Sequence, residues 1–183
     1  MDNPNFIKGT TEEEIWKQVS QQFIQNPDPL EYAVVIAHDN HQIILNIDID
    51  LGGGFESGYE ATSFTAPLHA ATDFRFAIHP ENFTDEIGKF FGMQDVVVGY
   101  DDFDKKVIIK TNDKQKVSEL FSDESVRAVI QKLENFTFSI ATHNATDSTD
   151  KTTFLELVIE RGITDLDELR AIYSAYYSVL TKL

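Results

Sequence analysis

The sequence predicts an α+β fold: a mainly antiparallel sheet of about eight strands, with helices packed on one side and a long C-terminal helix. Three observations predict it. Residues 43–51 alternate apolar and polar side chains, which is the period of a half-buried strand. Residues 10–25 and 165–182 instead repeat apolar side chains every three or four positions, as amphipathic helices do. Short turns separate the other strand patterns, which is typical of antiparallel pairing.

The first predicted helix covers residues 10–25. Thr11 and Glu14 have the spacing of a capping box, in which the threonine side chain accepts a hydrogen bond from the amide three residues on. Asn26 ends the helix, because a residue that precedes proline disfavours the helical conformation. The apolar positions recur every four residues at Ile15, Val19 and Phe23.

A meander of four strands is predicted next. Two of its turns are His38–His41 and Gly52–Gly54, where glycine accepts positive φ without steric cost. We expect the two histidines to be hydrophilic turn residues, because no further protein ligand for zinc is apparent. The predicted strands span residues 30–37, 43–51, 55–66 and 72–79.

The second half mixes short helices with two hairpins. Its last helix has capping-box spacing at Thr164 and Asp167, and its wide apolar seam needs a sheet to cover it. We expect a single domain over residues 1–183, with its weakest seam near residues 80–93. The predicted helices span residues 81–91, 114–121, 124–133 and 165–182, and the predicted strands span residues 96–98, 103–110, 136–142 and 153–160.

Composition limits the compartment and the partners. The chain of 183 residues has no cysteine, which excludes disulfides and thiolate chemistry. Its N-terminal residues lack the pattern of a secretory signal, and its apolar runs are too short to cross a bilayer. We therefore expect a cytoplasmic protein without membrane insertion. With 31 acidic and 15 basic side chains, the net charge of −16 repels phosphate backbones and argues against nucleic-acid binding.

Negative charge is concentrated in the first half of the chain. Residues 18–74 contain eight acids and neither lysine nor arginine. Alternation along the strands predicts an acidic face toward solvent, formed by Asp48, Asp50, Glu56 and Glu60. The same alternation predicts a buried side formed by Ile47, Ile49 and Leu51. A basic protein is the partner that such an acidic face attracts.

The sequence favours a non-enzymatic binding or interaction domain, because it contains no recognisable nucleophile elbow, nucleotide loop or calcium loop. No cofactor is predicted. Two alternatives stay open. One is a pocket for an apolar ligand between the sheet and the last helix, where the candidate contacts are Tyr173, Tyr176 and Tyr177. The other is a carboxylate-based metal-dependent hydrolase, in which Asp48 and Asp50 would bind the metal together with Glu56 and a histidine.

A pattern in the middle of the chain resembles a known one. Its segments are Phe90–Asp95, Gly99–Asp104 and Val107–Asp113, followed by Leu120–Phe121 and Arg127. The pattern is similar to that of an uncharacterised family of bacterial domains of unknown function, with Phe-Asp opening a strand and Ile-Lys-x-Asn-Asp leading into short helices. The resemblance covers residues 74–140 and implies a bacterial domain without a known catalytic motif. Within it, Asp104 and Asp113 are expected to accept hydrogen bonds from turn amides.

Overall fold

A computed structural model describes residues 5–26, 29–53, 57–68, 73–81, 93–144 and 151–183. Within these residues it contains nine strands and five helices. In chain order they are β1 Asn5–Gly9, α1 Glu12–Gln25, β2 Glu31–His38, β3 His41–Asp50, β4 Tyr59–Pro67, β5 Phe76–Pro80, β6 Gln94–Val96, α2 Asp101–Asp104, β7 Val107–Thr111, α3 Lys114–Leu120, α4 Glu124–Ile130, β8 Phe136–Asn144, β9 Lys151–Ile159 and α5 Leu166–Leu180.

All nine described strands join one sheet in the order β1-β2-β3-β4-β9-β8-β5-β7-β6. Neighbours pair antiparallel, except that β1 runs parallel to β2. The predicted α+β fold with a mainly antiparallel sheet and a C-terminal helix is confirmed. β1 was not predicted, because its large apolar side chains, Phe6 and Ile7, are adjacent and show no alternation.

One face of the sheet forms the hydrophobic core. Directly opposed residues on neighbouring strands share a face, so the pairing register lines up a continuous row of apolar side chains. Every member of this row is buried. From β2 across to β7 it consists of Val34, Leu45, Phe64, Leu157, Phe138, Ile78 and Ile109.

The five described helices pack on this core face. Phe23 of α1 lies with its ring centroid 4.9 Å from that of Tyr32 on β2. Tyr176 of α5 lies 5.7 Å from Phe64 of β4 in the same measure. The shorter helices join the same layer through the ring pairs Phe76–Phe121 and Phe103–Phe121 and through contacts of α4 with α5. The prediction that the helices lie on one side is therefore confirmed.

The strand order differs from the predicted meander. β4 does not lead into a neighbouring β5, because its second neighbour is β9, with Phe64 opposite Leu157. β5 lies instead between β8 and β7. Alternation along a strand determines which side chains are buried, but it does not determine which strand lies beside it. The predicted four-strand meander was therefore wrong after its third strand.

The predicted strand over residues 103–110 begins later than expected. Its first residues belong to the short helix α2, and the strand starts only at Val107. The Asp104 carboxylate closes this turn by accepting hydrogen bonds from the backbone amides of Val98, Gly99 and Tyr100. Asp113 likewise accepts one from the Lys116 amide at the start of α3. The expected role of both aspartates in turns is confirmed.

Two earlier predictions concern parts of the chain that are not fully described. All but the first residue of the helix predicted over residues 81–91, and most of the seam near residues 80–93, lie outside the described residues. In the described part of the chain, no helix is both long and apolar enough to span a membrane.

Candidate functional site

The predicted acids Asp48 and Asp50 lie on the side of the sheet that points away from the described helices. The register defines this side, because Phe6 pairs with Val35, Val35 with Ile44, and Ile44 with Thr65. None of these four residues is directly opposite a member of the core row. We call this side of β1, β2, β3, β4 and β9 the open face.

The open face exposes apolar side chains on β1, β3 and β9. Phe6 is 60% exposed, Ile44 is 43% exposed and Val158 is 36% exposed. Phe6 and Ile44 lie in one row, two strands apart, which places them about 10 Å from each other. Several exposed large apolar side chains within one patch are typical of an interaction surface.

Acidic side chains occupy one end of the open face. Glu31 on β2 lies directly opposite Asp48 on β3, and Asp50 follows on the same side of β3. Like charges that oppose each other across two strands destabilise the sheet. Among the ion pairs of the described residues, none involves Glu31, Asp48 or Asp50. Lys8 lies on the same face toward its other end, opposite Ala37.

The other two predicted members of the acidic face are not part of it. Glu60 lies directly opposite Ile49, so it points to the helix side, where its Oε2 accepts a hydrogen bond from the Gly162 amide. The prediction that Glu60 shares a face with Asp48 was wrong. The register pairs Asp48 with Ala61 and Asp50 with Tyr59, so Glu60, which lies between these two residues of β4, points to the other face. Glu56 lies outside the described residues.

The predicted buried side of β3 holds only in part. Ile47 is buried and Ile49 is half-buried, but Leu51 is 73% exposed. Leu51 lies one residue beyond the end of β3, outside the paired part of the strand. The prediction for Leu51 was therefore wrong.

The metal alternative needs at least three converging ligands. In the described residues no group of three or more His, Asp or Glu side chains is placed to hold a metal ion. Asp48 and Asp50 stand on the same face about 7 Å apart along the strand. The Asp50 carboxylate also accepts a hydrogen bond of 2.9 Å from the Gly52 amide.

The three candidate tyrosines of α5 find their hydrogen-bond partners inside the chain. The Tyr176 hydroxyl donates to the Leu155 carbonyl at 2.8 Å, and the Tyr177 hydroxyl donates to Asp39 Oδ2 at 2.9 Å. The Tyr173 hydroxyl lies 2.8 Å from His38 Nδ1. A ligand was proposed because buried hydroxyls need partners, and these contacts already supply them.

Burial also sets the protonation of these tyrosines. It raises the pKa of Tyr173 and of Tyr176 above the ordinary tyrosine value. Burial, with the neighbouring Asp39 carboxylate, raises the pKa of Tyr177 to about 12. All three hydroxyls therefore keep their protons at neutral pH.

His38 was predicted to be a hydrophilic turn residue, and this was wrong. The side chain is 4% exposed and stacks on Tyr177, with 3.9 Å between ring centroids and 10° between planes. Its position follows from strand alternation, because His38 continues the buried positions Tyr32, Val34 and Ile36 of β2. His41, across the turn, meets the edge of Tyr177 at 5.9 Å.

The cluster around His38 joins three elements of the fold. Trp16 of α1 meets the Tyr173 ring edge-on at 5.7 Å, and its buried Nε1–H has no hydrogen-bond partner among the described residues. Burial lowers the pKa of His38, and the negative charges of Asp39 and Glu12 oppose that shift. A neutral imidazole that accepts a hydrogen bond from Tyr173 fits this environment. The cluster thus fastens the β2–β3 hairpin to α5 and α1.

Comparisons of the chain with protein-family models, with curated proteins and with solved structures find no match in any of the three. The resemblance to bacterial domains of unknown function therefore stays a prediction. The function has to be inferred from the geometry of the open face and of the His38 cluster.

Proposed function

We propose that this chain is a non-enzymatic interaction domain that binds a basic protein through the acidic end of its open face. The observation that carries the proposal is the direct opposition of Glu31 and Asp48, two like charges without a basic partner among the described residues. The proposal concerns a protein partner because a net charge of −16 repels nucleic acids.

The energetics of the opposed acids support a partner. Two carboxylates in directly paired positions destabilise the sheet, whereas opposite charges there would stabilise it. Lysine or arginine side chains of a partner would turn this repulsion into attraction when the complex forms. The surrounding negative field would also speed the encounter with a basic protein, and added salt would weaken that effect.

The buried titratable groups support a role outside catalysis. The hydroxyls of Tyr173, Tyr176 and Tyr177 are committed to internal hydrogen bonds, and His38 is enclosed by the rings of Tyr173 and Tyr177. A general acid or base has to reach a substrate atom within hydrogen-bond distance. These groups bind one another instead.

The test uses two variants that lose the same amount of charge. The first neutralises the open face with Glu31→Gln, Asp48→Asn and Asp50→Asn. The matched control neutralises three exposed acids of the helix side with Asp101→Asn, Asp102→Asn and Glu124→Gln. Each protein is immobilised, basic proteins are captured from cell extract at low salt, and the dissociation constant of a purified partner is then measured at increasing NaCl.

We expect the wild type and the control to retain the partner and the open-face variant to lose most of its affinity. Affinity should fall steeply with NaCl, because exposed charges are screened within about 8 Å at physiological ionic strength. Recovery of no basic protein at low salt would contradict the proposal. An equal loss of affinity in both variants would contradict it too, since it would show an effect of net charge alone.

A further inference from the structure

The acids and the exposed apolar patch lie on the same face of the sheet, and the register fixes the distance between them. Ile44 and Asp48 are four residues apart on β3 and point to the same side. At the rise of an extended strand this separation is about 13 Å, and Asp50 lies about 7 Å further. A partner that covers both would therefore meet apolar contacts at one point and carboxylates about 13–20 Å away.

The apolar patch differs from an ordinary scatter of exposed side chains. Phe6 and Ile44 flank half-buried Val35 in one row, and Val158 lies on the same face two strands beyond Ile44. Tyr59, which is 57% exposed, also lies on the open face, directly opposite Asp50 at the acidic end. Ile24 at the end of α1, which is 78% exposed, lies away from this face. The row across β1, β2 and β3 is thus a surface that one partner element can cover.

We infer that the basic partner proposed above binds in two parts: an apolar side chain packs on Phe6 and Ile44, and lysine or arginine side chains about 13–20 Å away contact Glu31, Asp48 and Asp50. This inference rests on the proposed function and adds the site and the chemistry of the partner. Lys8 at the other end of the face repels a basic segment there, so the orientation of the partner follows from the same charges.

A second copy of this chain is a poorer occupant of the face. Two copies would each bring a net charge of −16, and on each stacked open face Lys8 is outnumbered by the acids Glu31, Asp48 and Asp50. A basic segment with one apolar side avoids this repulsion. Apolar contact and charge then contribute separately, because burial of apolar surface responds to salt differently from exposed ion pairs.

The experiment uses two synthetic peptides of equal length and equal charge. The first contains lysines with leucines at helical spacing, and the second has serine in place of each leucine. Each is titrated into the full ¹⁵N-labelled chain, with the backbone amide shifts as the readout. Three proteins are compared: the wild type, Ile44→Thr on the open face, and Ile24→Thr as the control for loss of an exposed isoleucine elsewhere.

We expect the leucine peptide to bind the wild type about tenfold more tightly than the serine peptide, which corresponds to one buried apolar contact of ordinary strength. The shifts should centre on Phe6, Val35 and Ile44 and extend to Glu31 and Asp48. Ile44→Thr should remove most of the tenfold difference, and Ile24→Thr should leave it unchanged. Circular dichroism and the fluorescence of the single tryptophan, Trp16, verify that both variants are folded.

Two results separate this inference from the proposed function. If both peptides bind equally and are released by NaCl, the apolar anchor is overturned while binding of a basic partner stands. If neither peptide binds at low salt, both are overturned. If sedimentation shows that the wild type is a dimer and that Ile44→Thr makes it dissociate, the inference is also overturned, because the occupant of the face would then be a second copy.

Discussion

Thr62 provides the sharpest test of how the sheet holds the segment before α5. It is a fully buried residue of β4 on the core face. Its hydroxyl donates to the Arg161 carbonyl at 2.8 Å and accepts from the Ile163 amide at 2.9 Å. Thr62→Val keeps the volume and the branching of the side chain but removes both hydrogen bonds. The variant therefore isolates the contribution of the hydroxyl.

The magnitude follows from what the two backbone groups lose. Ile163 is 1% exposed, so its amide is left buried without a partner, at a cost of about 1–3 kcal/mol. The Arg161 carbonyl belongs to an exposed residue and can accept a hydrogen bond from water instead. The loss of its hydrogen bond from Thr62 therefore adds little to the cost. The extra methyl group of valine gains roughly 0.8 kcal/mol at most. We expect the free energy of unfolding to fall by about 1–2 kcal/mol.

Urea unfolding measures this change, with the fluorescence of Trp16 as the probe. The control is Thr65→Val, three residues along the same strand on the open face, where we expect a change within about 0.5 kcal/mol. A Thr62→Val variant as stable as the wild type, or no less stable than Thr65→Val, would refute the assignment of Thr62 as a buried hydrogen-bond bridge. Unchanged slopes of free energy against urea are needed for the comparison to be valid.

Three other features of the chain determine measurable changes in stability. Burial lowers the pKa of His38 in the folded state, so the unfolded state binds more protons as the pH falls through the ordinary histidine range near 6.5. Stability should be full above that pH and decline below it, and urea midpoints should show a smaller decline for His38→Gln; equal declines would contradict this. At Gly162 an added Cβ would overlap the Ile49 side chain, so Gly162→Ala should lower stability by about 1–3 kcal/mol in thermal melts. Gly53→Ala, whose added Cβ meets no atom of the described residues within 4 Å, is its control, and equal melting of the two variants would rule out the packing argument. Finally, a net charge of −16 predicts that the melting temperature rises with NaCl at pH 7, because screening reduces repulsion; a flat or falling response would mean that the acids are compensated.

Local patterns in the sequence predicted the local structure well. Thr11 caps α1 as its spacing with Glu14 indicated, with its hydroxyl accepting from the Glu14 amide at 3.2 Å. As the alternation of β3 predicted, Asp48 and Asp50 point to one face of the sheet and Ile47 points to the other. At α5 the cap is Asp165, one residue after the predicted Thr164, because both residue types can serve as a cap. Such features depend only on residues within one turn or one strand.

Pairing between distant strands could not be predicted in the same way. β4 and β9 are separated by more than eighty residues, and several strands with the same apolar alternation could have taken the place of β9. The error at Glu60 has a related cause. Its face depends on the number of residues in the turn that joins β3 to β4, and a change of one residue moves the side chain to the other side of the sheet.

The candidate site was predicted only in part for the same reason. Asp48 was identified from the sequence, but its opposing partner Glu31 was not, because opposition across two strands is a property of the register. The burial of His38, in contrast, could have been found. It follows Tyr32, Val34 and Ile36 at intervals of two residues, and a residue in phase with a buried strand face should be expected to share its burial.

The turn between β2 and β3 connects the His38 cluster with the acidic end of the open face. Only Asp39 and Asn40 separate the two strands, so His38 pairs with His41, and Glu31 pairs with Asp48 seven residues further out on each strand. Asp39 has a φ of 51°, in the left-handed region that aspartate tolerates better than most residues, and its carboxylate is held by the Tyr177 hydroxyl. A change in the length of this turn would shift the register, which would separate Glu31 from Asp48 and turn His38 out of the core. The turn that contacts α5 therefore also places Glu31 opposite Asp48. The proposed binding surface on the open face thus depends on the packing of the His38 cluster on the core face.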